Sequence, residues 1–287
     1  MTGGVRLSAL RQEQGRLVRE ALREDLGSGD RTTLSVVPKA QRAVGTIRAK
    51  QPLVLAGIEF AHEAFRRVDP TLRFTPVRRD GSRVRRGETV ARVRGRAASI
   101  LRAERTALNF LQHLSGIATY TDRCVRAARG RCAVRDTRKT HPGLRLAEKY
   151  AVRVGGGENH RLRLDDGILI KHNHWRVGGG VGAAVRRAGR GGVGRRPPIQ
   201  VEVSSLRDLR EAIVSGADSV LLDNLSGRAL NRALAVARGR IHVEISGGVT
   251  AENVRRLSSL GADAVSSGAL THSAPWADLS LRLEPLP

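Results

Sequence analysis

From Thr121 onward the chain repeats one unit: a short apolar run that ends in polar or glycine residues, followed by a segment with helical spacing. Six such runs are present. Cys132-Ala133-Val134 leads to Asp136-Thr137-Arg138-Lys139, and Ile168-Leu169-Ile170 leads to Lys171. Ile199 to Val203 carries Glu202, and Val220-Leu221-Leu222 ends at Asp223-Asn224. Ile241 to Ile245 runs into Ser246-Gly247-Gly248, and Ala264-Val265 into Ser266-Ser267-Gly268. Helices such as Ser205 to Ser215 and Ala251 to Leu260 fill the gaps. This rhythm predicts a parallel α/β barrel or doubly wound sheet, in which function collects at the carboxyl ends of the strands.

The first 115 residues read differently. Leu7 to Leu26 has a helical period, Gly27 to Asp30 a turn, and Arg31-Thr32-Thr33 is expected to start an extended segment. Short alternating runs between Ala43 and Arg96, punctuated by Gly57, Asp80-Gly81 and Arg86-Gly87, predict an antiparallel sheet with one helix, Ile58 to Arg67. Ser99 to Thr119 is the strongest helix in the chain, and Ser115-Gly116 is expected to end or interrupt it. The expected division is therefore an α+β domain over 1–115 and a βα domain over 116–287. At 287 residues the chain is long enough for both.

The charge is extreme, formally +24, and raises a nucleic-acid partner. Yet five lysines and 46 arginines make up the 51 basic residues, and the arginines are scattered rather than gathered in a tail or on one helix face. An arginine-rich coding bias accounts for that pattern. No aromatic stacking platform accompanies it, so a nucleic-acid partner is not expected. Where a chain otherwise uses arginine, Lys139 and Lys171 suggest positions that require a compact ammonium. Cys124 and Cys132 are too few for a disulfide scaffold or a cysteine metal site. No apolar run approaches the roughly 20 residues of a spanning helix, and the first nine residues lack an apolar signal core, so a cytoplasmic protein is expected.

Candidate chemistry concentrates in Asp136 to His174. This stretch gathers Arg138, Lys139, Arg145, Lys149, His160, Arg161, Lys171, His172 and His174 around a glycine turn at 155–157 and the strand at 168–170. Such density suggests a pocket for a highly anionic small molecule. The turns at Ser246-Gly247-Gly248 and Ser267-Gly268-Ala269 each follow a strand, where backbone N–H groups approach a phosphate closely and the next helix adds its dipole. Glu202 and Asp223 stand at the other chemical pole. As paired carboxylates they suit a general acid and base, metal ligands, or acceptors for sugar hydroxyls. Together these groups suggest a phosphosugar plus a second anion.

The same residues carry a resemblance. DTRKTHPGLRLAEKYAVRVGGGENHR, LIKHNH, VEVSSLRDLREAIVSGADSVLLDN, VEISGGVTAENVRRLSSLGADAVSSGALTHS and, upstream, REDLGSGDRTT and AERTALNFLQHLSGIAT, which together run from about Leu22 to Leu281, resemble the signature blocks of quinolinate phosphoribosyltransferase. The resemblance implies an amino-terminal α/β sandwich and an incomplete parallel α/β barrel, with the last strand returning to the first domain. It implies transfer of phosphoribose from phosphoribosyl pyrophosphate to quinolinate with loss of CO2, assisted by Mg2+, held through the substrate and with Glu202 and Asp223 as candidate ligands. It also implies a homodimer, or a hexamer of dimers, whose sites are shared.

By matching motif, Arg138, His160, Arg161 and Lys171 are expected to bind the quinolinate carboxylates, with Thr137 beside them and Arg105 supplied by the partner subunit. Lys139, Glu202 and Asp223 fall to the phosphoribosyl side, Lys139, Lys171, Glu202 and Asp223 being the catalytic set. Ser246, Gly247, Gly248, Ser267, Gly268, Ala269 and His272 fall to the phosphate. Two letters depart from the family pattern: His172 where an acidic residue is usual, and His141 where threonine is. Molybdenum-transport-associated relatives share the fold, and the full DTRK and ENHR blocks favour quinolinate over that alternative.

Overall fold

The computed structural model describes residues 7–190 and 197–287, and the chain groups into two compact units. The glycine-rich loop expected over Gly191 to Pro198 lies mostly outside the described residues.

The first unit comprises 7–122, 141–156 and 273–287 of the described chain. Helix α1 (Leu7–Leu26) is followed by α2 (Arg31–Val36), where an extended segment was expected. The reason is a cap: the Asp30 carboxylate accepts from the Thr33 N–H at 2.9 Å and satisfies an otherwise orphaned donor of the first turn. Then come β1 (Arg42–Ala49), β2 (Leu53–Val54), α3 (Ile58–Val68), β3 (Arg73–Pro76), β4 (Arg83–Val84) and β5 (Thr89–Arg96). Strand β1 alternates buried and exposed, as a half-covered sheet requires. The last strand of the chain, β12 (Leu279–Pro285), pairs antiparallel with β1, and β5 and β3 complete a four-stranded sheet in the order β12-β1-β5-β3.

Helix α4 (Ala97–Ala128) runs straight through Ser115-Gly116, contrary to the expected break. Both residues are there for close approach. The Ser115 hydroxyl accepts from the Ala56 N–H at 3.0 Å and donates to its carbonyl at 3.1 Å. A Cβ at Gly116 would stand 2.2 Å from the Pro275 carbonyl oxygen. The contact grouping accordingly differs from a single cut at 115, because α5 (Arg145–Val154), preceded by its entry turn, joins the first unit.

The second unit comprises 123–140 and 157–272 of the described chain. Its strands are β6 (Ala133–Arg135), β7 (Ile168–Ile170), β8 (Ile199–Val203), β9 (Ser219–Asp223), β10 (His242–Ser246) and β11 (Ala264–Ser266). All pairings are parallel, in the order β6-β11-β10-β9-β8-β7. That order is cyclic in sequence except between β6 and β7, which makes the sheet an incomplete barrel. The six expected strands are the six observed. Helices α6 (His172–Val177), α7 (Val181–Arg190), α8 (Leu206–Val214), α9 (Gly227–Ala237), α10 (Val254–Ser258) and α11 (Ala269–His272) alternate with them. Strand β8 is buried at four of five positions, since a strand covered on both faces needs continuous apolar character.

Candidate active site

A cavity of about 310 Å3 opens at the carboxyl ends of the barrel strands. It is lined by Thr137, Arg138, Lys139, His160, Arg161, Leu169, Lys171, Glu202, Leu221, Asp223, Ser246 and Ser266. Four cations therefore face two carboxylates, and the volume suits a small ligand.

The segment after β6 is held by fixed contacts. Asp136 is wholly buried and accepts from the His160 N–H at 2.8 Å and from Asn159 Nδ2 at 2.7 Å, which ties the ENHR segment to the end of β6. The Thr137 hydroxyl accepts from the Lys139 N–H at 3.0 Å, and the Thr271 hydroxyl donates to the Lys139 carbonyl at 2.7 Å. Lys139 is thereby tied to the residues just before His272. A Cβ at Gly268 would stand 2.8 Å from the His272 ring and 3.0 Å from Lys139 Cδ, so a larger residue there would displace that pair.

Arg138 and Arg161 distinguish this cavity. The Nε of each is buried without a hydrogen-bond partner among the described residues. Burial and, after it, the charge of Arg138 pull the Arg161 pKa below its ordinary value, and Asp166 opposes this only in part. Buried donors without acceptors are costly, and neighbouring guanidinium groups repel. A ligand with two carboxylates relieves both. His160 is 7% exposed; its Nδ1 accepts from the Arg161 N–H at 2.8 Å, so the ring proton stands on Nε2 and is donated to Gln200 Oε1 at 2.9 Å. It is a neutral, oriented ring.

Glu202 and Asp223 end adjacent strands. Glu202 Oε1 accepts from the His172 N–H at 3.3 Å, and Asp223 Oδ2 accepts from Asn224 Nδ2 at 2.9 Å. Asn224 adopts a positive φ of 55°, and a Cβ at Gly247 would stand 2.2 Å from its Oδ1. The Ser246-Gly247-Gly248 turn is thus wrapped against the end of β9. The helices after the two glycine turns are five and four residues long, so the expected dipole shrinks to a single turn, and the N–H groups of the turns are the donors that remain.

Several expected residues stand elsewhere. Arg145 and Lys149 group with the first unit, Lys149 wholly buried on α5, and do not line the cavity. Neither do His172 and His174. The His172 ring packs edge-on against Trp175 at 4.6 Å, and His174 Nδ1 accepts the Lys171 N–H. Ser267 spends its hydroxyl on the Val249 carbonyl and its N–H on that of Arg135. Its neighbour Ser266 lines the cavity instead, as does Leu169. Adjacent serines on a strand end face opposite ways, and which faces inward depends on register that composition does not carry. Arg105 is exposed on α4 and is not among the lining residues.

Beneath the cavity, alternate strands β6, β8 and β10 contribute a polar layer. Glu244 Oε2 accepts from Arg135 at 3.1 Å and from Gln200 Nε2 at 3.2 Å, and Gln200 reaches His160. Arg135 also donates to Glu158 at 3.1 Å. Burial opposes the Arg135 charge, but Glu244 and Glu158 outweigh it and hold its pKa above the ordinary value.

An open parallel barrel with a cation-lined cavity and two carboxylates at its strand ends defines an anion-handling α/β-barrel protein. Comparison narrows the class. Residues 30–115 match the amino-terminal domain, and 117–282 the carboxyl-terminal domain, of quinolinate phosphoribosyl transferase. A probable nicotinate-nucleotide pyrophosphorylase [carboxylating] of Bacillus subtilis is 39% identical, over 90% of this chain and 89% of that protein. The solved nicotinate-nucleotide pyrophosphorylase of Francisella tularensis superposes with a TM-score of 0.90 at 38% identity, covering 95% of this chain and 96% of that one. NadC of Streptococcus pyogenes gives 0.89 at 39%, covering 99% and 100%. The chain belongs to the quinolinate phosphoribosyltransferase family.

Proposed function

We propose that this chain transfers phosphoribose from phosphoribosyl pyrophosphate to the ring nitrogen of quinolinate and decarboxylates the product, giving nicotinate mononucleotide, pyrophosphate and CO2, a step of NAD biosynthesis. The observation that carries the reading is the cavity in which Arg138 and Arg161 hold buried Nε donors without a partner among the described residues, across from Glu202 and Asp223. A dicarboxylate fills the first pair as a double acceptor, and a ribose with its hydroxyls suits the second.

Arg138, Arg161 and Lys171 grip the two ring carboxylates, and His160, whose ring nitrogens are taken by the Arg161 N–H and Gln200, orients the backbone of Arg161 and lines the wall without adding charge. Quinolinate so held presents its ring nitrogen to the anomeric carbon. The C–O bond to pyrophosphate breaks as the C–N bond forms, and positive charge builds on the ribose. Glu202 and Asp223 stabilise that charge and accept from the ribose hydroxyls. Lys139 and His272, packed over Gly268, serve the departing pyrophosphate or the 5′-phosphate, and the turn at 246–248 offers its N–H groups to the phosphate. The carboxylate next to the ring nitrogen then leaves as CO2. The electron pair left on the carbon is stabilised by the adjacent pyridinium and the surrounding cations, and a proton takes its place.

Mg2+ fits this donor set, since Glu202 and Asp223 are hard oxygen ligands and each has an oxygen outside the contacts described above. Held by Glu202 and Asp223, it would supply charge neutralisation of the leaving group. Arg105 comes from the partner subunit of a homodimer, consistent with its exposure and its absence from the lining. No described helix is long and apolar enough to cross a membrane, and a cytoplasmic site of action accords with that.

The test is a coupled assay with purified protein, Mg2+, quinolinate and phosphoribosyl pyrophosphate. Nicotinate mononucleotide and pyrophosphate should appear in equal amounts. If neither substrate is consumed, the reading fails.

A further inference from the structure

The first unit holds a second convergence of ligand-type side chains that the proposed reaction does not use. His113 on α4, His141 in the turn ahead of α5 and Glu148 on α5 each offer one ligand atom, and these atoms lie within 4.8 Å of one another. His113 Nε2 stands 3.0 Å, and His141 Nδ1 2.6 Å, from the same oxygen, Glu148 Oε1. The other oxygen of Glu148 accepts from the His141 N–H at 3.2 Å, which fixes the carboxylate plane.

Glu148 is wholly buried, and its side-chain partners among the described residues are these two histidines alone, with no lysine or arginine. A wholly buried carboxylate costs stability unless its charge is answered. A divalent cation supplies the charge and takes all three groups as ligands. Two imidazole nitrogens and one carboxylate oxygen are the ligand types of a zinc-class ion, not of Mg2+, which prefers oxygen. Tetrahedral ligand atoms around such an ion stand roughly 3.4 Å apart. The His141 side chain, 47% exposed, can turn by the small amount needed. Its exposure also leaves one coordination position open to water.

We propose that His113, His141 and Glu148 form a binding site for one divalent transition metal, which pins α4 to the entry turn of α5. His141 lies two residues after Lys139, so the ion anchors the chain directly beyond the DTRK segment. The inference rests on the first unit alone and stands whether or not the proposed transferase reaction is confirmed.

The experiment uses the full chain stripped with chelator and titrated with Co2+ under excess Mg2+, which occupies oxygen-rich sites. One Co2+ per chain should bind, with the visible absorption of low-symmetry, nitrogen-ligated Co2+, and Zn2+ should displace it and raise the melting temperature. His141→Thr should lose the ion and the absorption, while His62→Ala, which removes a surface histidine paired with Glu59, keeps both. In 1H–15N spectra of the wild type, Zn2+ should shift two of the eight histidine rings, a readout that needs no variant to fold. No stoichiometric Co2+, equal occupancy in His141→Thr, or shifts at histidines other than 113 and 141 would overturn the proposal.

Discussion

The two layers of the barrel interior use the same residue types to opposite ends. In the lower layer Arg135 is met by Glu244 and Glu158, and its pKa rises. In the upper layer Arg161 meets burial and another arginine, and its pKa falls. His160 lies on the boundary and lines both the 310 Å3 cavity above and one of about 210 Å3 below. The lesson is that charge alone does not mark a site in a chain carrying +24. Within this barrel unanswered charge does: Arg135, with its acceptors in place, is framework, and Arg138 and Arg161, each with a buried Nε left over among the described residues, await a ligand.

The sharpest way to break this comparison is to remove one arginine from each layer. Arg138→Ala should lower turnover by about 100-fold or more, since it deletes a preorganised cation at the reacting ring, while leaving the urea midpoint nearly unchanged. Arg135→Ala should do the reverse in kind. It strands the wholly buried Glu244 and should cost about 3–5 kcal/mol of stability, read from urea unfolding. If Arg138→Ala unfolds the protein and Arg135→Ala does not, the assignment of layers is inverted.

Gly268→Ala probes the seam between Lys139 and the turn after β11. The added methyl collides with His272 and Lys139, and a displacement of that kind should raise the KM for phosphoribosyl pyrophosphate by on the order of 10- to 100-fold, with little change in quinolinate binding. His172→Asp should change turnover less than any of these. The His172 ring packs on Trp175 outside the cavity, and it is the backbone N–H, which any residue keeps, that meets Glu202.

The smallest effect concerns Cys124, whose thiol is pushed up to about 12, first by burial and then by Glu252. A raised pKa means that the native state holds the proton more tightly. The stability linked to this thiol is therefore complete below its ordinary value of 9.0 and is lost as pH climbs toward 12. At pH 8 the native protein should react with a thiol reagent at Cys124 far more slowly than the unfolded chain, as a timed labelling and mass measurement would show.

Much of this was legible in the sequence because parallel strands announce themselves as apolar runs, and their carboxyl ends as the polar residues that follow. Lys171, Glu202, Asp223 and Ser246 could be placed that way, and the cavity gathers all four. What was not legible depended on contacts distant in sequence. Ser115-Gly116 reads as a helix end, yet the serine binds Ala56 and the glycine admits Pro275. Arg31-Thr32-Thr33 reads as extended until Asp30 is seen to cap it. The stretch Asp136 to His174 reads as one cationic cluster, yet α5 carries Arg145 and Lys149 into the other unit. His141, a letter that departs from the family pattern, gained meaning only when His113 and Glu148 were found beside it.

The central claim, that the leftover donors of Arg138 and Arg161 form a wall for two carboxylates, is tested most directly by calorimetric titration of quinolinate and of nicotinate, which has one carboxylate, into the wild type and Arg138→Ala. Quinolinate should bind the wild type at least about tenfold more tightly than nicotinate, the margin of one charge-assisted contact, and that margin should vanish in Arg138→Ala. Equal affinity for the two acids in the wild type, or a margin that survives the substitution, would contradict the account.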